Sequence, residues 1–435
     1  MSNIKINKKD KSYIINLSTV ALSLIIAMSF LIHLFTYTLS GTIYAITIFA
    51  LTIIYVISKN VTKTNINRFT IGWLIILLNI VFGFFRSSRT NGALLDIIIF
   101  SCGMLMIYFC SKNEKKYLQC ITLVKVFALF FGAGVLLQTF FPAIHRFIVG
   151  IFPSTLRTEI LTNGSGFTTN TGFSAGYIIA GIIAVASETQ SIKKIKLTNF
   201  IFIILLLLAL FFTGKRAPAV FLILTLLYCY LVPVKGMKKV KRYWNILIIL
   251  FIAVVFFLLF KDLLVKVPFF DQIIQTIEGI IAREDVTSSR SRLYAWAIEL
   301  FKAHPVFGIG WGMFRSTVVG NVTLVTELET HNIYLQILCE TGLVGLFSFV
   351  IVFFMFWNAT KNAYCRSIKQ NYKDNGKWSR VLFFSLAYQT YFLLYGLTGN
   401  PLYDQHFQII YILSCSIFTG YLIVEKSTSR AMTKF

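Results

Sequence analysis

Apolar residues in this chain come in blocks, each about twenty residues long, separated by short segments rich in Lys and Arg. A block of that length crosses the hydrocarbon layer as an α-helix. Inside lipid each backbone N–H and C=O must then be paired within its own segment. Apolar residues make up 57% of the 435 and charged residues 13%. A soluble globular enzyme carries nearly twice that share of charge, and a disordered chain lacks the hydrophobicity, so both classes are excluded. The expected fold class is all-α: a polytopic integral membrane protein with about 12 transmembrane helices and a large external loop containing amphipathic helices. Residues 1–435 are expected to form one polytopic membrane domain.

The blocks fall near 14–35, 37–58, 69–85, 93–110, 118–140, 171–187, 197–213, 217–234, 243–261, 333–357, 380–398 and 405–424. Lys5, Lys8, Lys9 and Lys11 precede the first block, and no small-residue cleavage pattern follows it, so it is expected to be a retained first span. The formal charge is +24, from 41 Lys and Arg against 17 Asp and Glu. In a membrane protein the positive-inside rule explains such an excess without a nucleic-acid partner. Alternate loops carry it, at Lys59, Lys63 and Arg68, at Lys112, Lys115 and Lys116, at Lys235–Arg242 and at Lys361–Arg380. With an even number of spans, this is expected to place both termini in the cytoplasm. The seven Cys show no metal-ligand spacing and lie mostly in apolar runs, so no disulfide framework is expected.

Two external segments exceed the usual length of a connection, 141–170 and 262–332. The larger has helical periodicity twice, in Ile273, Ile274, Ile277, Ile280 and Ile281, then in Leu293, Trp296, Ala297, Leu300 and Phe301. Ser288 and Ser289 are expected to cap the second helix, and His304-Pro305 with Gly308, Gly310 and Gly312 to end it in a tight turn.

External cations are informative because the positive-inside rule does not account for them. They include Lys215, Arg216, Arg290, Arg292, Arg86, Arg89, Arg146 and Arg157. Converging guanidiniums at a membrane face suit a lipid-linked diphosphate, which they can grip in bidentate fashion. The plainer alternative is that they pair with Glu284, Asp285, Glu327, Glu329 or lipid headgroups. Of the five His, His331 stands where the large loop runs into a span. A helix N-terminus and nearby arginines disfavour imidazolium and leave a neutral ring able to act as a general base. His33 and His304 read as a packed residue and a turn residue, and a structural role is favoured for His145 and His406. Of the intramembrane charges, Asp96 and Lys125 are expected to pair with each other, and Glu340 to serve an Arg or a backbone end. Gly342 and Gly345 read as a helix-packing pair. No metal-ligand spacing and no phosphate-cradling glycine loop is present, so neither a cofactor nor a metal is expected.

Taken together, these motifs resemble those of the O-antigen ligase/polymerase family of bacterial membrane glycosyltransferases. The resemblance rests on His331-Asn332 opening a helix that continues to Glu340, Gly342 and Gly345. It also rests on Arg292 followed by Trp296, on Pro305-Val-Phe-Gly308-Ile-Gly310, and on Thr213-Gly214-Lys215-Arg216, where Lys215 stands in place of the family's Ser. Asn170-Thr171-Gly172 matches the start of a further family helix, and residues 165–350 carry most of the likeness.

The resemblance implies metal-independent, inverting glycosyl transfer at the external membrane face, with an undecaprenyl-diphosphate-linked glycan as donor. Arg216 and Arg292, with Arg290 and Lys215, would bind the diphosphate, and His331 would take the proton of the acceptor hydroxyl. Two chemistries share this donor. A polymerase joins repeat units into O-antigen, capsular or exopolysaccharide, with a second lipid-linked glycan as acceptor. A ligase passes the finished glycan to lipid A core or another surface acceptor. Richness in Ile, Phe, Lys and Asn is common in low-GC bacteria, many of which lack lipid A, and favours the polymerase. A chain-length regulator and a flippase of the same pathway are the further partners implied, beside membrane lipid. A lipid-linked glycan transporter would share the spans and the basic face, and a structural membrane protein would have no need of His331.

Overall fold

The structure, a computed structural model, describes residues 17–31, 41–58, 66–87, 91–163, 165–191, 196–282, 290–316, 329–369 and 377–432. Among these the chain is helical and contains no strand. Six helices are long and apolar enough to cross a membrane: α3 (Arg68–Arg86), α5 (Glu114–Phe140), α8 (Thr171–Glu188), α11 (Met237–Leu264), α14 (Ile333–Lys369) and α16 (Gln405–Met432). Shorter apolar helices fall on other expected spans, namely α1 (Leu17–Leu31), α2 (Gly41–Ile57), α4 (Asn91–Tyr108), α9 (Leu197–Phe212) and α10 (Arg216–Leu231). Helix α15 (Lys377–Tyr395) falls on the eleventh. The protein is a multi-pass membrane protein. Of the long loops, 141–170 contains α6 (Pro142–Val149) and α7 (Ser154–Asn163), and the larger contains α12 (Pro268–Ile281) and α13 (Arg290–Ala303). The last two are the helices expected from the isoleucine and Leu293–Phe301 patterns. Ser288, Ser289, Glu284, Asp285, Glu327, Arg89 and His33 lie outside the described residues.

The chain divides into two compact units. The first comprises 1–123, 294–359 and 399–435. In it α4 packs against α2, α3 and α16. A helix apolar all round is suited to that surrounded position. Trp73 of α3 is fully buried, donates its indole N–H to the Phe100 carbonyl at 2.9 Å, and stacks on Phe100 and Tyr411. The second unit comprises 124–293 and 360–398, and its core helix is α8, packed on α9, α10 and α15. Small residues on α8 permit close approach: a Cβ on Gly181 would lie 2.1 Å from that of Ala128 on α5.

The first unit turns on a broken helix. Gly342 interrupts α14 with φ +66° and ψ −165°, which leaves carbonyls before the break and amides after it without helical partners. The segment after α13 supplies those partners. Ile309 and Gly310 donate to the carbonyls of Cys339 and Glu340 at 3.0 and 2.9 Å, and Leu343 and Val344 donate to those of Pro305 and Val306 at 2.9 and 3.3 Å. The two backbones touch, so Gly342 is required by this contact and not by the helix–helix packing expected from its spacing with Gly345. A Cβ at Gly342 would sit 2.3 Å from the Val306 carbonyl carbon, and one at Gly308 (φ +66°) 2.2 Å from that of Glu340.

Gly342→Ala and Gly308→Ala are therefore expected to cost upwards of about 3 kcal/mol, as left-handed backbone and overpacking combine. Gly236→Ala, at φ +60° with nothing within 4 Å of its Cβ, should cost only about 1 kcal/mol. Thermal unfolding of the purified variants in one detergent measures the difference; equal midpoints for all three would contradict the contact.

Candidate active-site residues

In the second unit the cations collect at the start of α10. Helix α9 ends at Phe212, and Gly214 reverses the chain in the left-handed region at φ +70°. Lys215 then takes the N-cap position of α10 without a side-chain cap bond, and Arg216 is the first helical residue. Arg216 donates to the Gln272 carbonyl of α12 at 2.9 Å, and Arg290 donates to the Thr398 carbonyl just after α15 at 3.0 Å. Each of these bonds uses one of the five N–H groups of a guanidinium and holds the fork in place. Lys215 is half-buried, and its ammonium pKa is lowered, first by burial and then by the neighbouring Arg290 charge. A lysine held below its usual range beside another cation gains from an anion, and a diphosphate would relieve both costs. Arg292 is exposed on the first turn of α13 and has no hydrogen bond or ion pair among the described residues. Within this unit the structure brings together Lys215, Arg216 and Arg290, and Arg292 stands exposed without a bond to any of the described residues.

The remaining cations singled out in the sequence are placed differently. Arg146 and Arg157 are exposed, and Arg146 donates to Pro142 in its own helix. In the first unit Arg86 lies 5.9 Å from the ring centroids of both Phe82 and Phe307, and Arg315 pairs with Glu329.

His331 belongs to the first unit, two residues ahead of α14. It is the one non-glycine residue with positive φ among the described residues, at +55°. A side chain in that region costs about 1 kcal/mol and persists where its neighbours over-determine it. They do so here. Asn332 caps α14, accepting from the amides of Tyr334 and Leu335 at 3.0 and 3.1 Å. Buried Thr330 donates its hydroxyl to the Asn332 carbonyl at 2.8 Å, and its amide donates to the Gln336 side chain at 3.3 Å. Asn400 donates to the same Gln336 oxygen. His331 is thus turned out of the helix path between two pinned residues.

Gln336 passes the network on to Glu340. The fully buried Glu340 carboxylate accepts from the amides of Gly312 and Phe314 at 2.9 and 3.1 Å and from the Tyr403 hydroxyl at 2.6 Å; Gln336 lies 3.4 Å from it. It serves backbone ends, as expected, and organises the glycine turn. Trp311 of that turn is also fully buried, stacks on Tyr403 and Phe349, and donates to Asp96 at 2.9 Å. Asp96 accepts from Gln408 too, and Lys125 of the second unit pairs with Glu188 at 2.7 Å. The expected Asp96–Lys125 pair is therefore replaced by two separate partnerships. His145 is buried, bonds the Gly166 carbonyl at 2.7 Å and stacks on Phe167, a structural role. Asp404 was not singled out in the sequence. It is half-buried beyond α15, and burial pushes its carboxyl up to about 7 while the Arg315 charge opposes this.

Among the described residues, no group of three or more His, Cys, Asp or Glu is placed to hold a metal ion. Residues 201–350 match the family model described as O-antigen ligase (Wzy_C). The matched segment contains Lys215, Arg216, Arg290, Arg292, His331, the glycine turn and Glu340. This segment is therefore similar to the O-antigen ligase family, in keeping with the resemblance to the O-antigen ligase/polymerase family. No curated protein matches the chain.

An anion bound at Lys215 would raise its pKa, so binding takes up a proton between the free and bound values. Affinity for farnesyl diphosphate should therefore fall as pH rises through that window. Lys215→Arg keeps the charge and should flatten this component, and Arg290→Gln should move it to higher pH. Titrations of the three proteins across pH measure it, and the difference from Lys215→Arg removes the ligand's own ionisation. Identical profiles for wild type and Lys215→Arg would contradict the assignment.

Proposed function

We propose that the protein polymerises undecaprenyl-diphosphate-linked oligosaccharide repeat units into O-antigen, capsular or exopolysaccharide at the external face of the bacterial cell membrane. Both termini lie in the cytoplasm, and the transfer is inverting and needs no metal. The observation that carries this reading is the company kept by the cations. Lys215, Arg216 and Arg290 gather at one helix start with a desolvated lysine among them, inside the segment that matches the O-antigen ligase model.

In the reaction, the acceptor sugar hydroxyl attacks the anomeric carbon of the donor and the bond from that carbon to the diphosphate oxygen breaks. Undecaprenyl diphosphate leaves with the bond's electron pair. His331 takes the hydroxyl proton, and its held, left-handed backbone supports a fixed aim for the ring. Arg216, Arg290 and Lys215 bind the diphosphate, and exposed Arg292 meets the charge that develops on the leaving oxygen. The amphipathic α12 and α13 shield the polyprenyl tail and exclude water.

The second reading is a ligase that transfers the finished glycan to lipid A core or another surface acceptor, the activity for which the matching family is described. Both use the same donor chemistry, and the acceptor separates them. Purified protein given only a polyprenyl-diphosphate-linked repeat unit, without metal, is expected to make a ladder of products one unit apart. His331→Ala should lower the rate by about 10²–10⁴-fold and Arg292→Ala by about 10²–10³-fold, with unfolding midpoints preserved. Transfer only after a core oligosaccharide is added would establish the ligase. No transfer with either acceptor would overturn both readings in favour of a carrier of lipid-linked glycans.

A further inference from the structure

The second unit also contains a cavity at the other end of α10. Helix α10 runs from Arg216 to Leu231, about 24 Å at 1.5 Å per residue, so this cavity lies a helix length from the Lys215 cluster. Its volume is about 490 Å³, within the range of small-molecule sites. Arg242, Tyr230, Gln190 and Tyr364 supply its polar wall. Leu226, Val234, Ile368 and Phe383 supply apolar surface, and among the described residues no Asp or Glu lines it.

Arg242 is the distinctive member. It is half-buried, donates to the Tyr230 carbonyl, and sits 4.2 Å from the centroid of the Tyr230 ring. Tyr364 is held separately by its hydrogen bond to Gln190 at 3.0 Å. Lys235, Lys361, Arg366 and Lys369 stand close enough to Cys365, beside Tyr364, to act on it electrostatically. Glu188, two residues before Gln190, is engaged by Lys125. The positive-inside rule explains exposed lysines that flank a span. It does not explain a guanidinium clamped over a tyrosine ring in the wall of a partly apolar cavity. A pinned fork with spare N–H groups, a surrounding positive field and adjacent apolar walls together match a phosphate carried on a small organic group.

We propose that this cavity binds a phosphate ester, with Arg242 on the phosphate and the organic group against Leu226, Val234 and Ile368. The site is independent of the glycosyl-transfer reading and faces the side expected to be cytoplasmic. An anionic phospholipid headgroup and a soluble phosphate share the chemistry that would fill it.

The test uses the full-length protein in detergent, titrated with dioctanoyl phosphatidylglycerol, with inorganic phosphate, and with zwitterionic dioctanoyl phosphatidylcholine, read by native mass spectrometry. Saturable binding of phosphatidylglycerol over phosphatidylcholine, with phosphate unable to compete, supports the site and assigns it to lipid. Competition by inorganic phosphate supports it and assigns a soluble source. Arg242→Gln should weaken binding by about tenfold or more, the loss of a charge-assisted hydrogen bond, with partial recovery in Arg242→Lys. Val234→Trp, which fills the cavity and keeps Arg242, should abolish binding, and Lys112→Gln, an exposed cation outside the cavity, should not change it. Binding unchanged in both Arg242→Gln and Val234→Trp, or absent for every probe, would overturn the proposal.

Discussion

A transmembrane helix that breaks must find new partners for the backbone groups it releases, because lipid offers none. In α14 the break at Gly342 is repaired by Pro305–Gly310, backbone against backbone, and the carboxylate of Glu340 reaches past it to the amides of Gly312 and Phe314. A buried carboxylate is costly unless it is fully hydrogen-bonded. Here the amides, the Tyr403 hydroxyl and Gln336 meet that need. The same contacts fix Trp311 and, through Gln336, Thr330 and Asn332. The conformation of His331 depends on this chain of bonds, which explains why one stretch of sequence contains the glycines, the glutamate and the histidine.

The cations of the second unit follow a different logic. Arg216 and Arg290 each spend one N–H on a carbonyl, which fixes their forks while leaving donors over. Lys215 is held near Arg290 at an energetic disadvantage. Such an arrangement is weakly satisfied without an anion and well satisfied with one, which suits a site that must hold a diphosphate and then let it go.

Much of the fold was legible in the sequence because hydrophobic blocks and helical periodicity are local signals. The isoleucine pattern predicted α12, and the Leu293–Phe301 pattern predicted α13. The position of His331 at a helix start was legible for the same reason. The break at Gly342 was not: glycines three apart look alike whether they admit a neighbouring helix or a turn. Asp96 and Lys125 were matched by charge, yet a span's sequence does not say which way each face turns, and their partners Trp311 and Glu188 are distant in the chain. Asn400 and Tyr403 gave no motif of their own, since their roles arise from contacts across many tens of residues. The short helices α6 and α7 were too brief to show periodicity, although Pro142 stands at the first position of α6, where proline is favoured.

The proposed reaction is a single direct displacement by a hydroxyl whose proton passes to His331. Its most direct test is the stereochemistry of the new bond. The anomeric configuration of the linkage formed by purified protein, compared by NMR with that of the sugar–diphosphate donor, is predicted to be inverted. Retention of configuration would require two displacements or a front-face substitution, and would contradict a single in-line attack.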